Sequence, residues 1–420
     1  MSKHIPVSNP DCDSDPGLLR VEQVHEKLSQ LAAPVSGTER VAVRSALNRV
    51  LDQDIISTIN VPPYANSAMD GYAIQGTDIP ANGTTTLQVI GTSFAGDPFD
   101  GQVNRGECVR IMTGAKMPQG ADTVIMQEHA SRDGDVITIN HDHCTGQNVR
   151  HPGEDMAVGS TVLAKGKKVG PTELGLMASL GIAEVSVKRK LRVAFFSTGD
   201  ELRGVGEPLE EGQIYDSNRY TLFGMLQQLG VELIDMGVIR DDQNAIETAF
   251  QHAAEIADVV ITSGGVSVGE ADYVKLMLDK IGKVDFWRIA MKPGKPLAFG
   301  KIKQALFFGL PGNPVSVMAT FYLFARPALK HMMGEPYAQP LTCKAVTENA
   351  LKKRPGRTDF QRGVLVNKNG KLVVDGAGMQ ASHILSGMSR ANCFIVLPQE
   401  SGSVEAGAEV DVIPFRGLMD

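Results

Sequence analysis

Residues 258–273 read DVVITSGGVSVGEADY, and the meaning of this stretch decides the fold. Val259, Val260 and Ile261 form a short β-branched run of the kind carried by a strand buried on both faces, and the run stops at Ser263-Gly264-Gly265. Two adjacent glycines permit positive φ and close backbone approach. Successive N–H groups can then converge on an oxyanion, with the hydroxyls of Thr262, Ser263 and Ser267 as further donors. Glu270 and Asp272 follow at once. Carboxylates beside an anion cradle repel the anion unless a divalent cation sits between them, so the stretch points to a phosphate-plus-metal site. An isolated Ser-Gly-Gly is equally what an ordinary strand-to-turn junction carries, and the surrounding chain has to decide between the two.

Outward from this strand the chain alternates. Strand-like runs at 191–197, 231–239, 259–262 and 305–309 are separated by helical patterns at 219–229, 245–256 and 271–281. This βαβ alternation predicts a three-layer α/β domain with a parallel sheet. Ligands of such sheets collect where the strands end, and those loops are loaded. Thr198-Gly199-Asp200-Glu201 follows the first strand, Arg240-Asp241-Asp242 the second, and Ser263-Gly264-Gly265 with Glu270 and Asp272 the third. Lys292-Pro293-Gly294-Lys295-Pro296 precedes the fourth, and Pro311-Gly312-Asn313-Pro314-Val315-Ser316 leaves it. Asn313 reads as an N-cap and Pro314 as a first-turn residue, which leaves the following N–H groups and the helix dipole aimed at an anion. Acids, lysines and oxyanion cradles gathered on one edge exceed what turn composition predicts. Neither G-x-x-x-x-G-K-[ST] nor G-x-G-x-x-G is present, so neither a P-loop nor a dinucleotide fingerprint is supported.

The rest of the chain changes character twice. Leu18, Leu19, Val21, Val24, Leu28 and Leu31 recur at helical spacing before Pro34, and a shorter helical pattern follows over 41–51. Between Ile55 and Asp155, short strand-like runs separated by Gly, Pro and Asp predict a mostly β domain. Its loops at 60–72, 109–115 and 150–155 crowd polar groups into glycine-containing turns, as ordinary turns also do. A helix from Pro171 and then Lys188-Arg189-Lys190, a solvated boundary, lead into the α/β domain. After Gly334 short strands return and predict a small β-barrel or sandwich. Its segment 352–362 is strongly basic, fitting either a solvated hairpin or a clasp on the distal end of an anionic ligand. The expected division is an N-terminal helix at 17–36 packing on the central domain, a linker domain from 37–56 and 159–190, a β domain at 57–158, the α/β domain at 191–335 and a C-terminal β-barrel at 336–420.

A chain of 420 residues is too long for one core. Its apolar runs end well before 18 residues and its polar start lacks the apolar centre of a signal peptide, so a cytoplasmic protein without membrane contact is expected. Five scattered cysteines without a C-x-x-C pair fit reduced thiols. His141-Asp142-His143-Cys144 lacks the second ligand pair of a structural metal site. A net charge of −7 argues against general nucleic-acid binding, so an anionic ligand needs local basic residues.

Five motifs in order then carry a resemblance over nearly the whole chain: 66–73 (NSAMDGYA), 110–115 (RIMTGA), 197–201 (STGDE), 263–269 (SGGVSVG) and 309–314 (GLPGNP). Together they resemble the MoeA family, to which the E domain of gephyrin is related. The resemblance implies a Mg²⁺-dependent transferase that inserts molybdate into adenylylated molybdopterin and releases AMP. It also implies a homodimer of elongated, four-part subunits with composite active sites, in transient contact with other molybdenum cofactor biosynthesis proteins. Carried over, Asp70, Thr113, Glu201, Asp241, Asp272 and Lys292 are the expected catalytic positions, with Glu201, Asp241 and Asp272 as candidate metal ligands. Asp155, Ser263, Gly264, Gly265, Ser267, Arg288, Lys295, Pro311, Gly312, Asn313, Pro314 and Arg357 are expected to bind substrate. Arg288 departs from the pattern, since related sequences commonly have lysine there, and a planar fork replaces a point charge. The alternative is a gephyrin-like dimeric peptide-binding scaffold on the same fold. A scaffold has no use for clustered acids, which favours the enzyme.

Overall fold

A computed structural model of the chain describes residues 18–264 and 281–415. The chain divides into two compact units, one of Met1–Glu39, Asn48–Val50 and Lys188–Asp420, the other of Arg40–Leu47 and Leu51–Val187. The first helix, α1, runs Val21–Leu31 and buries Val24 and Leu28. It starts later than its periodicity, because Leu19 bonds to the strand-end segment at Arg288 and Ala290 instead. The helical pattern over 41–51 is not a helix: a strand Thr38–Ala42 runs into a single 3₁₀ turn, Val43–Ala46. Asn48 then takes φ 63°, a left-handed conformation no helix interior accommodates.

The second unit is built on a six-stranded sheet. Its strands are β1 (Gly71–Ile74), β2 (Thr84–Ser93), β3 (Glu107–Ile111), β4 (Thr123–Met126), β5 (Ser131–Asp133) and β6 (Val136–Asn140), in the order β4-β1-β3-β2-β6-β5. β1 is buried throughout because both its faces are covered. Tyr72 and Ile74 join Leu87, Cys108 and Ile125 on one side, and Ala73 joins Ile111 and Val124 on the other. A separate core gathers Leu51, Ile55, Leu163, Val169 and Val187 around helix α2 (Pro171–Ser179). That helix opens as its sequence dictates, with Pro171 in the first turn and Glu173 accepting from the Gly170 N–H at 2.9 Å.

In the first unit, β7 (Arg192–Thr198), α3 (Ser217–Leu229), β8 (Glu232–Ile239), α4 (Gln243–Ile256) and β9 (Val259–Ser263) alternate as the pattern predicts. β10 (Gly282–Arg288), β11 (Pro296–Ile302) and β12 (Ala305–Leu310) complete a six-stranded sheet in the order β8-β7-β9-β12-β11-β10. β8, β7, β9 and β12 are parallel, whereas β11 and β10 add antiparallel strands at the far side. The helical pattern at 271–281 lies outside the described residues, apart from Ile281. Helix α5 (Pro314–Thr320) continues through a π turn into α6 (Arg326–Met332).

Burial explains why these strands read as continuous apolar runs. Val193, Phe195, Val259 and Ile261 face the layer of α1, α3 and α5, while Ala194, Phe196, Val260 and Phe307 face α4. Asp216 caps α3 by accepting from the Arg219 N–H, and Gly230 ends it at φ 73°. Arg189 is not a solvated boundary residue: its guanidinium holds Asp258 at 2.7 and 2.6 Å. Asp258 also accepts from the Arg192 N–H, which fixes the starts of β7 and β9 side by side.

The C-terminal part closes on itself. β13 (Cys343–Thr347), β14 (Thr358–Lys368), β15 (Lys371–Gly376), β16 (Cys393–Leu397) and β17 (Glu409–Pro414) form the ring β14-β15-β13-β17-β16-β14 around Val374, Ile395, Leu397 and Val412. The strand β17 alternates over Glu409-Val410-Asp411-Val412, buries both valines, and pairs on both sides to close the barrel. Met291–Lys292 pairs with Thr358–Asp359 at the head of β14, so the barrel is stitched to the α/β sheet.

Phe250 on α4 packs edge-on against Phe196 and Phe307, with centroids 5.1 and 5.4 Å away. Phe250→Ala is expected to cost about 3–5 kcal/mol, since the side chain leaves a cavity between sheet and helix. The loss is read from the urea transition reported by the fluorescence of Trp287, which lies on β10 and is the chain's one tryptophan.

Candidate active site

Parallel pairing brings the carboxyl ends of β7, β8, β9 and β12 to one edge. Gly264 takes φ 93°, and a Cβ there would lie 2.8 Å from the Thr198 carbonyl oxygen, so backbone angle and close approach both require glycine. Its N–H is spent on the Leu310 carbonyl at 3.3 Å, so it is not a free cradle donor as the sequence suggests. Gly265, Ser267, Glu270 and Asp272 lie outside the described residues. Asn218, in the first turn of α3, joins two of the loops: its Nδ2 donates to Ser263 Oγ at 2.9 Å and to the Gly312 carbonyl at 2.7 Å. Ser197 Oγ, Thr198 Oγ1 and Asn218 Oδ1 are buried on this edge without a hydrogen-bond partner among the described residues. Orphaned polar atoms are costly in a finished core and suit a polar ligand or water. The sequence reading missed Asn218; the only signal was its place just after the Asp216 cap.

An open cleft of about 710 Å³ lies between this edge and the barrel. Lys292, Lys295 and Arg357 supply its charge, Pro311, Gly312 and Asn313 one wall, and Ser316, Gln380, Ser382 and His383 further polar groups. Gly294 turns the Lys292–Lys295 loop at φ 99°, where a Cβ would meet Thr320 Cγ2 at 2.8 Å. Asn313 occupies the N-cap position and Pro314 the first turn of α5, but the Asn313 side chain makes no capping bond. The Val315 N–H donates to the Ser382 carbonyl at 3.1 Å, so that donor is consumed by the barrel rather than aimed at an anion. Arg288 is exposed at the end of β10, and its carbonyl accepts from the Leu19 N–H. Ser382 and His383 come from a loop beyond β15, far in sequence from any strand end of the sheet. Within the basic segment 352–362, Arg357 lines the cleft, whereas Lys353 and Arg362 are buried in the barrel.

A second cleft, of about 920 Å³, is lined by Asp200, Glu207, Asp241 and Asp242 together with Arg203, Arg219 and Arg240. Asp241 donates its N–H to Asp200 Oδ1 at 3.3 Å. Asp242 caps α4 through the Ala245 N–H, so its carboxylate is already engaged. Glu201 is exposed and folds back over Gly199, within 2.5 Å of where a Cβ would stand. No group of three His, Cys, Asp or Glu side chains among the described residues is close enough to hold a metal ion. That covers His141, His143 and Cys144; Gln147 instead approaches His143 Nδ1 at 3.0 Å.

In the other unit, Asp70 and Thr113 meet directly. Asp70 Oδ1 accepts from both the N–H and the Oγ1 of Thr113, each at 2.7 Å. Those two bonds, the backbone one foremost, hold the exposed Asp70 carboxyl below its ordinary range. Tyr64 and Met69 stand exposed beside it in sequence. Asp155 is exposed and donates its N–H to the Val61 carbonyl at 3.0 Å, in a turn made by Gly153 at φ 74°. The motifs containing Asp70 and Thr113 are 43 residues apart, and strand pairing of β1 with β3 brings them together.

Thr113→Val removes one of the two donors to Asp70 and keeps the backbone one. The Asp70 carboxyl is then expected to titrate closer to its ordinary value, as followed by NMR of the carboxyl carbon. A depressed folded value stabilises above the ordinary carboxylate range and is lost as pH falls through it, so the variant is expected to lose stability at neutral pH and converge with the parent in acid.

Residues 19–181 match the family model of the MoeA N-terminal region (domain I and II), residues 194–331 that of the probable molybdopterin binding domain, and residues 344–415 that of the MoeA C-terminal region (domain IV). The molybdopterin molybdenumtransferase of Haemophilus influenzae is 48% identical over 406 residues, covering 96% of this chain and 100% of that protein. Gephyrin of Dictyostelium discoideum is 35% identical over 434 residues, covering 89% of this chain and 59% of that protein. The crystal structure of the molybdopterin biosynthesis MoeA protein from Pyrococcus horikoshii OT3 aligns with a TM-score of 0.82 at 31% identity, covering 95% of this chain and 100% of that chain. Likeness of this extent, running through both compact units and the barrel, means that the chain belongs to the MoeA family of molybdopterin molybdenumtransferases.

Proposed function

We propose that this transferase inserts molybdenum from molybdate into adenylylated molybdopterin and releases AMP. The observation that carries the assignment is the basic cleft of about 710 Å³, where Lys292, Lys295 and Arg357 converge with Ser316 and Ser382 in an otherwise acidic protein. Such a cleft suits a tetrahedral oxyanion: the cations offset its charge and the hydroxyls supply oriented donors. The neighbouring acidic cleft takes hard oxygen donors from Asp200 and Asp241; Glu201 and Asp272 stay metal-ligand candidates on the family resemblance alone. This donor chemistry fits Mg²⁺, which binds through one or two carboxylates plus phosphate oxygens and water. When bound there, Mg²⁺ would neutralise charge on the phosphoanhydride. Lys292 and Lys295 orient the oxyanion toward the phosphorus, with molybdate or water attacking directly, so no covalent nucleophile is needed.

The working unit in this proposal is a homodimer. Val205, Leu209, Ile214, Tyr215, Tyr220 and Phe223 are large apolar side chains exposed within one short stretch, a surface suited to a second copy. Asp70 and Thr113, exposed in the other unit, would complete the partner's site. Supply of the adenylylated pterin implies transient contact with other molybdenum cofactor biosynthesis proteins. A cytoplasmic setting agrees with the free thiols of Cys108, Cys144, Cys343 and Cys393. No helix among the described residues is long and apolar enough to cross a membrane.

Purified protein given adenylylated molybdopterin, molybdate and Mg²⁺ is expected to release AMP. Absence of molybdate-dependent AMP release would defeat the assignment and leave the peptide-binding scaffold. Asp241→Asn is expected to lower activity roughly tenfold or more and to raise the Mg²⁺ needed for what remains; an unchanged Mg²⁺ dependence would remove Asp241 from the metal.

Sharing of the site between subunits is tested by co-expressing Asp70→Ala with Asp241→Ala chains, each inactive alone. A mixed dimer with shared sites has one doubly damaged and one intact site, so random pairing restores about a quarter of all sites. Differentially tagged mixed dimers as inactive as either parent would exclude sharing.

A further inference from the structure

Arg362, on β14, is 1% exposed and the largest fully buried side chain among the described residues. Among the described residues no carboxylate pairs with it. Its guanidinium instead donates to one loop: Nη2 to the Met379 carbonyl at 2.5 Å, Nη1 to the Ile384 carbonyl at 2.8 Å and Nε to Gln380 Oε1 at 3.3 Å. The backbone of Arg362 grips the same loop. Its N–H donates to Gln380 Oε1 at 2.8 Å, and Gln380 Nε2 donates back to the Arg362 carbonyl at 3.0 Å. Gly387 closes the other side, where a Cβ would stand 2.9 Å from Nη1.

The gripped loop, 379–384, carries Gln380, Ser382 and His383 onto the basic cleft. It also accepts the Val315 N–H through the Ser382 carbonyl at 3.1 Å, which ties it to the first turn of α5. One buried side chain therefore sets the barrel wall of the cleft and a contact to its opposite wall. The fold alone does not call for this cation. Burying a guanidinium without a carboxylate is costly, and apolar residues of similar size serve a core as well or better. Burial and the neighbouring Arg390 pull its affinity for the proton below the ordinary arginine range. Lys353 makes the comparison. It is a second buried barrel cation, caged by the carbonyls of Arg354, Gln399 and Ser401, but it is not part of the cleft lining.

We infer that Arg362 is a positioning residue, holding the loop 379–384 in the conformation that completes the oxyanion cleft. The inference rests on the assignment of that cleft to the oxyanion substrate. Lysine keeps the charge but cannot meet three acceptors with a planar fork, so Arg362→Lys isolates the geometry.

The test is calorimetric titration of the intact protein with molybdate in the presence of Mg²⁺, together with hydrogen exchange of 379–384 and thermal midpoints. Arg362→Lys is expected to weaken molybdate binding about tenfold and to speed exchange in that loop. Lys353→Met is expected to lower the thermal midpoint comparably while leaving molybdate binding within about twofold of the parent. Arg357→Gln, which removes a cleft charge directly, calibrates the assay. If Arg357→Gln weakens binding while Arg362→Lys changes it no more than Lys353→Met does, Arg362 is merely structural and the inference falls, with the cleft assignment intact. If the parent binds no molybdate, or Arg357→Gln leaves binding unchanged, the cleft assignment falls and takes the inference with it.

Discussion

Three parallel strands buried on both faces constrain everything else in this protein. β7, β9 and β12 are covered by helices on either side, so their interiors must be apolar, while β8 is the half-exposed edge strand beside them. Polar chemistry is thereby expelled to the strand ends, and parallel pairing puts the carboxyl ends on a single edge. The Arg189–Asp258 pair holds the opposite ends of β7 and β9 in register, and Gly264 lets the edge loops approach within reach of the Thr198 carbonyl. Asn218 bonds two of those loops at once, so the edge behaves as one assembled surface rather than independent turns.

The two clefts on this edge divide the electrostatic work. Lysines and arginine meet on the barrel side, and carboxylates interleaved with arginines meet beside β7 and β8. A net charge of −7 gives no overall attraction for an anion, so the binding energy for one has to be local. The barrel contributes by geometry as much as by charge. Of its basic segment, only part faces ligand space; Lys353 and Arg362 spend their donors on backbone carbonyls and hold loops in place.

The Asp70–Thr113 pair shows the same economy in the other unit. Neither residue is buried, yet two short bonds fix the carboxylate and keep it ionised over a wider pH range. Tyr64 and Met69, from the same loop, are exposed as well, so this part of the unit presents apolar and acidic groups to solvent together.

The sequence by itself determined the local structure and the chemical repertoire. β-branched runs ending in glycine marked the buried strands, Pro171 and Pro314 marked first turns, and five motifs marked the family, whereas the caps Asp216 and Asp242 emerged only in the structure. These signals are local, because period, capping and turn chemistry are settled within a few residues. Tertiary structure alone decided which donors remain available: the Gly264 and Val315 N–H groups, legible as anion donors, are consumed by Leu310 and Ser382. It also decided that β10 and β11 extend the sheet antiparallel, that β17 closes the barrel, and that Ser382 and His383 reach a cleft built mostly by residues some 70 to 90 positions earlier. Such outcomes depend on which segments pack together, and hydrogen-bond partners and burial are properties of that packing rather than of any window of sequence.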